Sequence, residues 1–231
     1  MLNQTPQFDP CCLKLVSFDV FGTLISVREG SYGAFEEILR RADAGHVDVK
    51  AFWEHWEETN IAAYWQAYRP YKDICRDSLA STFRHYGVEG DPASIQLYFD
   101  AFDRFPLYPD VTETLNALAT RFRLAVVSNI DDDLLARTPL GRDFGLVCTA
   151  ERARGYKPTG DLFRYLLRES GLGTEAILHA GQSQFTDLVG GKPLGLTIAW
   201  INRRGVALSP AVPGPDHVLP DLRSLRLLLG L

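Results

Sequence analysis

The chain is expected to be an α/β protein, a doubly wound parallel sheet with a helical cap inserted after the first strand. Three observations lead there. The apolar residues Leu13, Leu15, Val16 and Phe18 run into Asp19 and a turn at Gly22, as a buried strand does where it leaves a sheet. Residues 122–201 alternate strand-like with helix-like segments, the pattern of a parallel sheet covered on both faces with right-handed crossovers. Between these parts, residues 28–105 are rich in aromatics and helix formers and almost free of strand-like alternation.

In chain order, the cap is expected to hold helices over Ser31–Ala42, Val49–Tyr68, Tyr71–Tyr86 and Pro92–Arg104, punctuated by Gly45, Pro70 and the turn from Gly87 to Pro92. Trp53, Trp56, Tyr64, Trp65 and Tyr68 are expected between those helices, with room for one or two of them to face the cleft. Asp110 is placed to cap a helix over Val111–Ala119. The core then continues with a strand over Phe122–Val127, a helix through Asp133–Arg137 and a strand over Leu146–Thr149. After these come a helix over Thr159–Ser170, a strand over Ala176–Ala180, a helix over Asp187–Leu194, a strand over Leu196–Ile201 and a closing helix over Asp221–Leu229. The domains are thus 1–27 with 106–231 for the core, and 28–105 for the cap.

Bulk properties narrow the function. Twenty-four Lys and Arg face 29 Asp and Glu, a net charge of −5 that provides no electrostatic case for nucleic acid or an anionic membrane. Residues 1–10 are polar, and no apolar run reaches membrane-spanning length, so a cytoplasmic protein is expected. Cys11, Cys12, Cys75 and Cys148 lack metal-site spacing and are expected as free thiols, with Cys11 and Cys148 in strand core. The expected partner is a small-molecule substrate, and the expected assembly a monomer or homodimer.

Polar groups follow successive strands: Asp19 and Thr23, then Ser128-Asn129, then Lys157 before Pro158, then Asp187 beyond Gly181-Gln182-Ser183. The carboxyl ends of parallel strands share one sheet edge, so these residues can meet there. Together they supply a candidate nucleophile, a cation to hold it ionised, donors for an anionic substrate and a second carboxylate.

Phe18 to Leu24 resembles the first motif of the haloacid dehalogenase superfamily, Ser128-Asn129 its second, Lys157-Pro158 its third and Gly181 to Gly195 its fourth. The stretches Ser128 to Asp132, Gly155 to Pro158, His179 to Ser183 and Ala199 to Arg204 are most similar to the type II dehalogenase branch. The resemblance implies that Asp19 forms a covalent ester, that Thr23 and Ser128 bind the nucleophile or the substrate anion, and that Lys157 keeps Asp19 ionised. It further implies that Asp187 positions Lys157 or the hydrolytic water; Asn129, an amide next to a turn, is expected to fix its loop. Phe21, Arg28, Asn129, Gln182 and Ser183 are the expected substrate contacts.

The departures from the superfamily pattern bear on the reaction. Phosphatases of this kind carry a general acid two residues after the nucleophile, where this chain has Phe21; an alkoxide needs a proton and a halide does not. Magnesium-dependent members begin the fourth motif with an acid, where this chain has Gln182, so no cofactor is required, although Mg²⁺ on Asp19 and Asp187 stays possible. Relative to the dehalogenases, Phe163 replaces a Tyr, and Glu54 after Trp53 stands where a cap arginine is expected. Arg28 is the nearest replacement cation for a carboxylate or an emerging halide. Carbon–halogen cleavage of a small 2-haloacid is the leading expectation, with a phosphatase or a non-catalytic binding relative as alternatives.

Overall fold

The structure is a computed structural model that describes residues 12–231; the expectation for Cys11 lies outside them. Its centre is a six-stranded parallel sheet: β1 (Leu15–Phe18), β2 (Arg123–Ser128), β3 (Leu146–Thr149), β4 (Ile177–Gly181), β5 (Thr197–Ile201) and β6 (His217–Leu219), in the order β3-β2-β1-β4-β5-β6. The strands are apolar on both faces because helices cover both. On one side Val16, Phe18, Leu124 and Val126 share a cluster with Val111, Leu115, Leu222 and Leu225. On the other, Leu15, Ala125, Val127 and Ile198 pack with Leu162, Phe163 and Leu166. The doubly wound expectation therefore matches the architecture.

The helices flanking β2 and β3 are α5 (Val111–Ala119), α6 (Asp132–Arg137) and the short α7 (Ala150–Ala153); α8 (Asp161–Ser170), α9 (Val189–Gly191) and α10 (Leu222–Leu228) complete the core. The helix expected over Asp187–Leu194 is instead a π-helical turn at Gln184–Leu188, then α9, then a 3-10 turn at Lys192–Leu194. Such a wide turn is a recurrent feature of functional sites. Strand β6 was not expected; its three residues are too few for an alternation signal to register. Asp110 does not cap α5. Its backbone is already helical, and its carboxylate accepts from the Leu222 N–H and faces Arg203 at 3.1 Å, tying down α10.

Between β1 and β2 lie α1 (Val27–Arg41), α2 (Val49–Ala63), α3 (Tyr71–Tyr86) and α4 (Gln96–Asp100), with 3-10 turns at Pro92–Ile95 and Phe102–Arg104 dividing the fourth expected helix. Helix α2 stops at Ala63 rather than Tyr68, which leaves Trp65 in a turn and 53% exposed instead of in the core. Two chain connections join cap to core where the Ser26 N–H donates to the Pro106 carbonyl and the Tyr108 N–H to the Leu24 carbonyl. A third tie is a side chain: both oxygens of Asp131, just past β2, accept the N–H groups of Tyr71 and Lys72 that open α3. The core thus caps a helix of the cap. Among the described residues, no helix is long and apolar enough to cross a membrane.

Candidate active site

Asp19 follows β1 at the carboxyl edge, with its N–H bonded to the Ala180 carbonyl of β4. The chain then reverses through Gly22 at φ 88°, a backbone conformation that suits glycine, and a Cβ there would press on the Gln182 side chain at 2.8 Å. This turn brings Thr23 back over the strand end. Its hydroxyl donates to Asp19 Oδ2 at 2.8 Å and accepts the Gln182 N–H at 3.0 Å.

Lys157 arrives from the loop after α7. Its backbone N–H donates to Asn129 Oδ1 at 2.9 Å, which links the loops after β2 and β3. Its ammonium is 2.5 Å from Asp19 Oδ1 and 2.8 Å from Asp187 Oδ1, with all three side chains buried. Asp187 is also held from behind: His179 on β4 lies 3.1 Å from Oδ1, and the Ser183 N–H donates to Oδ2 at 2.9 Å. The far ring nitrogen of His179 meets the Ser17 hydroxyl at 2.9 Å. A continuous buried chain therefore runs Ser17, His179, Asp187, Lys157, Asp19, Thr23.

The electrostatics follow from this arrangement. Burial favours the neutral Lys157 amine, but Asp187 and then Asp19 outweigh it, and the ammonium is held above its ordinary range. Burial likewise acts on Asp187, but Lys157 and His179 prevail and keep it well below the usual carboxylate range. Asp19 is pushed upward, chiefly by burial and also by Asp187, against the pull of Lys157. Asp187 is thus a permanent anion that anchors Lys157, while Asp19 remains the more basic carboxylate.

Above Asp19 lies a cavity of about 100 Å³ between core and cap. Phe21, Ser128, Asn129, Gln182 and Ser183 line it from the core, and one face of α2 supplies Trp53, Trp56, Glu57, Asn60 and Ile61. Tyr64, Tyr71 and Tyr98 close it. Phe21 packs edge-on against Phe102 at 5.4 Å. Arg28 is not in this lining, contrary to expectation. It lines an adjoining outer cavity of about 250 Å³, drawn there by Glu54 at 2.9 Å and Glu57 at 3.9 Å, with its guanidinium over the Trp53 ring. Glu54, which stands where a cap arginine is expected, thus pairs with Arg28, the expected replacement cation. Phe163 is likewise not in the lining; it sits beneath the sheet, edge-on to His179 at 4.9 Å.

The sequence does not single out His179, Glu57, Asn60, Tyr71 and Tyr98 as site residues, whereas Trp53, Trp56 and Tyr64 belong to the aromatics of which one or two are expected at the cleft, and all three line it. His179 alternates inward on a strand like any core residue, and the others depend on how α2 is rotated, which periodicity does not align with a distant loop.

The donor set does not fit Mg²⁺. Both Asp187 oxygens already accept from Lys157, His179 and the Ser183 N–H, and an ammonium occupies the space between Asp187 and Asp19. A hard cation needs several free anionic oxygens, and Gln182 adds none. Among the described residues no cluster of three or more His, Cys, Asp or Glu side chains is arranged to hold a metal.

A parallel α/β core with a buried strand-end aspartate, its lysine and a helical cap defines a class of capped hydrolase. The sequence profile of haloacid dehalogenase-like hydrolases matches residues 13–195, and the chain belongs to that family. It is 25% identical over 224 residues to the (S)-2-haloacid dehalogenase of Pseudomonas sp. (strain YL), which spans 92% of this chain and 93% of that protein. It is 26% identical over 226 residues to a phosphoserine phosphatase of Thermus thermophilus, 87% of each. The fold is also that of L-2-haloacid dehalogenase from Xanthobacter autotrophicus, solved with chloropropionic acid covalently bound. The TM-score is 0.79 and the identity 24%, over 94% of this chain and 98% of that one.

Proposed function

We propose that this hydrolase cleaves the carbon–halogen bond of a small 2-haloacid through a covalent ester on Asp19. The observation that carries the reading is an aspartate paired with a buried lysine in a cavity where Phe21 replaces a general acid. Lys157 keeps Asp19 ionised, and Thr23 fixes Oδ2. One carboxylate oxygen of Asp19 then attacks the substrate carbon in line, a C–O bond forms, and the halide leaves with the bonding pair and no proton. Water next attacks the Asp19 carbonyl carbon; the alcohol of a 2-hydroxyacid departs, and one water oxygen stays in the regenerated carboxylate. Asp187 serves by holding Lys157, since its own oxygens are already occupied. Ser128 binds the substrate carboxylate in this reading, which is supported by a buried hydroxyl without a protein partner among the described residues.

A second reading has one specific observation behind it. Glu57 lines the same cavity and burial raises its carboxyl above the usual range, so it could protonate an alkoxide leaving group in a phosphatase. Release of halide and of phosphate across panels of 2-haloacids and phosphate esters separates the two readings. The first expects halide release that Asp19→Asn abolishes, with ¹⁸O from water entering Asp19 in a single turnover. Label appearing directly in product, or phosphate release lost in Glu57→Gln, would contradict it.

A further inference from the structure

We infer that the indole N–H of Trp53 receives the departing halide, with Arg28 acting on it from the far side of the ring; this rests on the carbon–halogen reading above. Halide loss leaves a full negative charge in a small cavity whose one lining cation, Lys157, is committed to Asp19 and Asp187. Some donor must replace the water that would stabilise that ion in solution.

With the Ser128 hydroxyl assigned to the substrate carboxylate, the buried indole donors can be sorted by whether they are already used. The Trp56 indole N–H donates to the Cys75 carbonyl at 3.1 Å, and the Trp200 indole N–H, outside the lining, to the Gln182 carbonyl at 2.9 Å. Among the described residues the Trp53 indole N–H has no acceptor, although the side chain is 1% exposed. An orphaned buried donor costs free energy unless a ligand takes it up, and a donor-only group suits an anion. Asn60, further along the same helix face, also has an unpartnered atom, but it is the amide oxygen, which repels a halide.

Two neighbours prepare the Trp53 ring. Tyr32 meets it edge-on at 5.8 Å, and the Arg28 guanidinium lies 5.1 Å from its centroid. A cation on one face withdraws electron density from the indole and strengthens its N–H as a donor. It also places positive charge just outside the cavity, where Glu54 offsets part of it. Arg28 is thus a positioning residue rather than a substrate contact, and Trp53 supplies the contact itself.

The test uses sodium bromide and sodium chloride on the intact protein in a Trp65→Phe background, which removes the exposed indole. Bromide is expected to quench tryptophan fluorescence saturably, and chloride NMR line broadening to report the same site without turnover. Trp53→Phe should weaken halide binding by roughly tenfold to a hundredfold, the range for a hydrogen bond to a charged group. Arg28→Leu should weaken it by less. In turnover, Trp53→Phe should lower kcat more for chloro than for bromo substrates while KM changes little, because the poorer leaving group depends more on the donor. Equal halide affinity in wild type and a folded Trp53→Phe variant would overturn the inference, as would a wild type that turns over haloacids without a saturable halide site. If Trp53→Phe fails to fold, unchanged affinity in Arg28→Leu would overturn it. Were phosphate esters the true substrates, the carbon–halogen reading would fall, and the halide titration would still decide the Trp53 site by itself.

Discussion

Replacing Gly190 by Ala tests whether the geometry of Lys157 drives the reaction. Gly190 sits in α9, and a Cβ built on it falls 1.7 Å from the Lys157 carbonyl oxygen and 3.3 Å from the Phe163 ring. Contacts of a real Cβ are essentially never shorter than 3.0 Å, so one backbone must retreat by about 1.3 Å, and buried Phe163 limits the retreat of α9. If the Lys157 loop moves, its ammonium leaves Asp19; if α9 moves, Asp187 three residues upstream moves with it. Either way the contacts of 2.5 and 2.8 Å stretch beyond hydrogen-bond range. A misplacement of about 1 Å is worth on the order of a hundredfold in rate, and overpacking costs about 1–3 kcal/mol of stability. The assay is kcat and KM for product release beside a thermal melt. Gly33→Ala is the control, because its Cβ meets nothing within 4 Å in the middle of α1, and it should gain about 0.5–1 kcal/mol. Wild-type kcat in a Gly190→Ala protein with an unchanged melt would refute the reasoning.

Lys157→Met leaves Asp19 and Asp187 buried without their cation and should cost about 3–5 kcal/mol in denaturant at neutral pH. The deficit should shrink as pH falls through the carboxylate range, because protonation removes the stranded charges; a pH-independent deficit would point to lost packing instead. The acid limb of kcat/KM should lie above the ordinary Asp value of 3.8, since burial raises Asp19, with activity rising as the carboxylate ionises. No alkaline limb is expected near neutrality, because Asp187 and Asp19 outweigh burial and hold the Lys157 ammonium above its ordinary range; a pH–rate profile checks both. EDTA should leave turnover unchanged, and loss that Mg²⁺ restores would contradict the donor analysis of Asp187. Asp131→Ala removes the cap on α3 and should cost about 1 kcal/mol, with faster hydrogen exchange at the Tyr71 and Lys72 amides.

The sequence by itself determined five of the six strands of the sheet and the position of its acids. Strands buried on both faces write themselves as continuous apolar runs, and β1, β2, β4 and β5 were legible for that reason. Because parallel strands share one carboxyl edge, Asp19, Ser128, Lys157 and Asp187 were placed in one neighbourhood without coordinates. Only the tertiary structure decided what each neighbour does. Arg28 was read as a cleft cation, yet Glu54, a residue 26 positions away, draws it to the outer side of Trp53. Asp110 was read as a local cap, but it serves α10, 112 positions along the chain. His179 lies inside an expected strand without an assigned role, and it anchors Asp187. The reason is common to all three: local pattern reports which face of an element is apolar, whereas the partner of a polar side chain is chosen by whichever distant element packs against it.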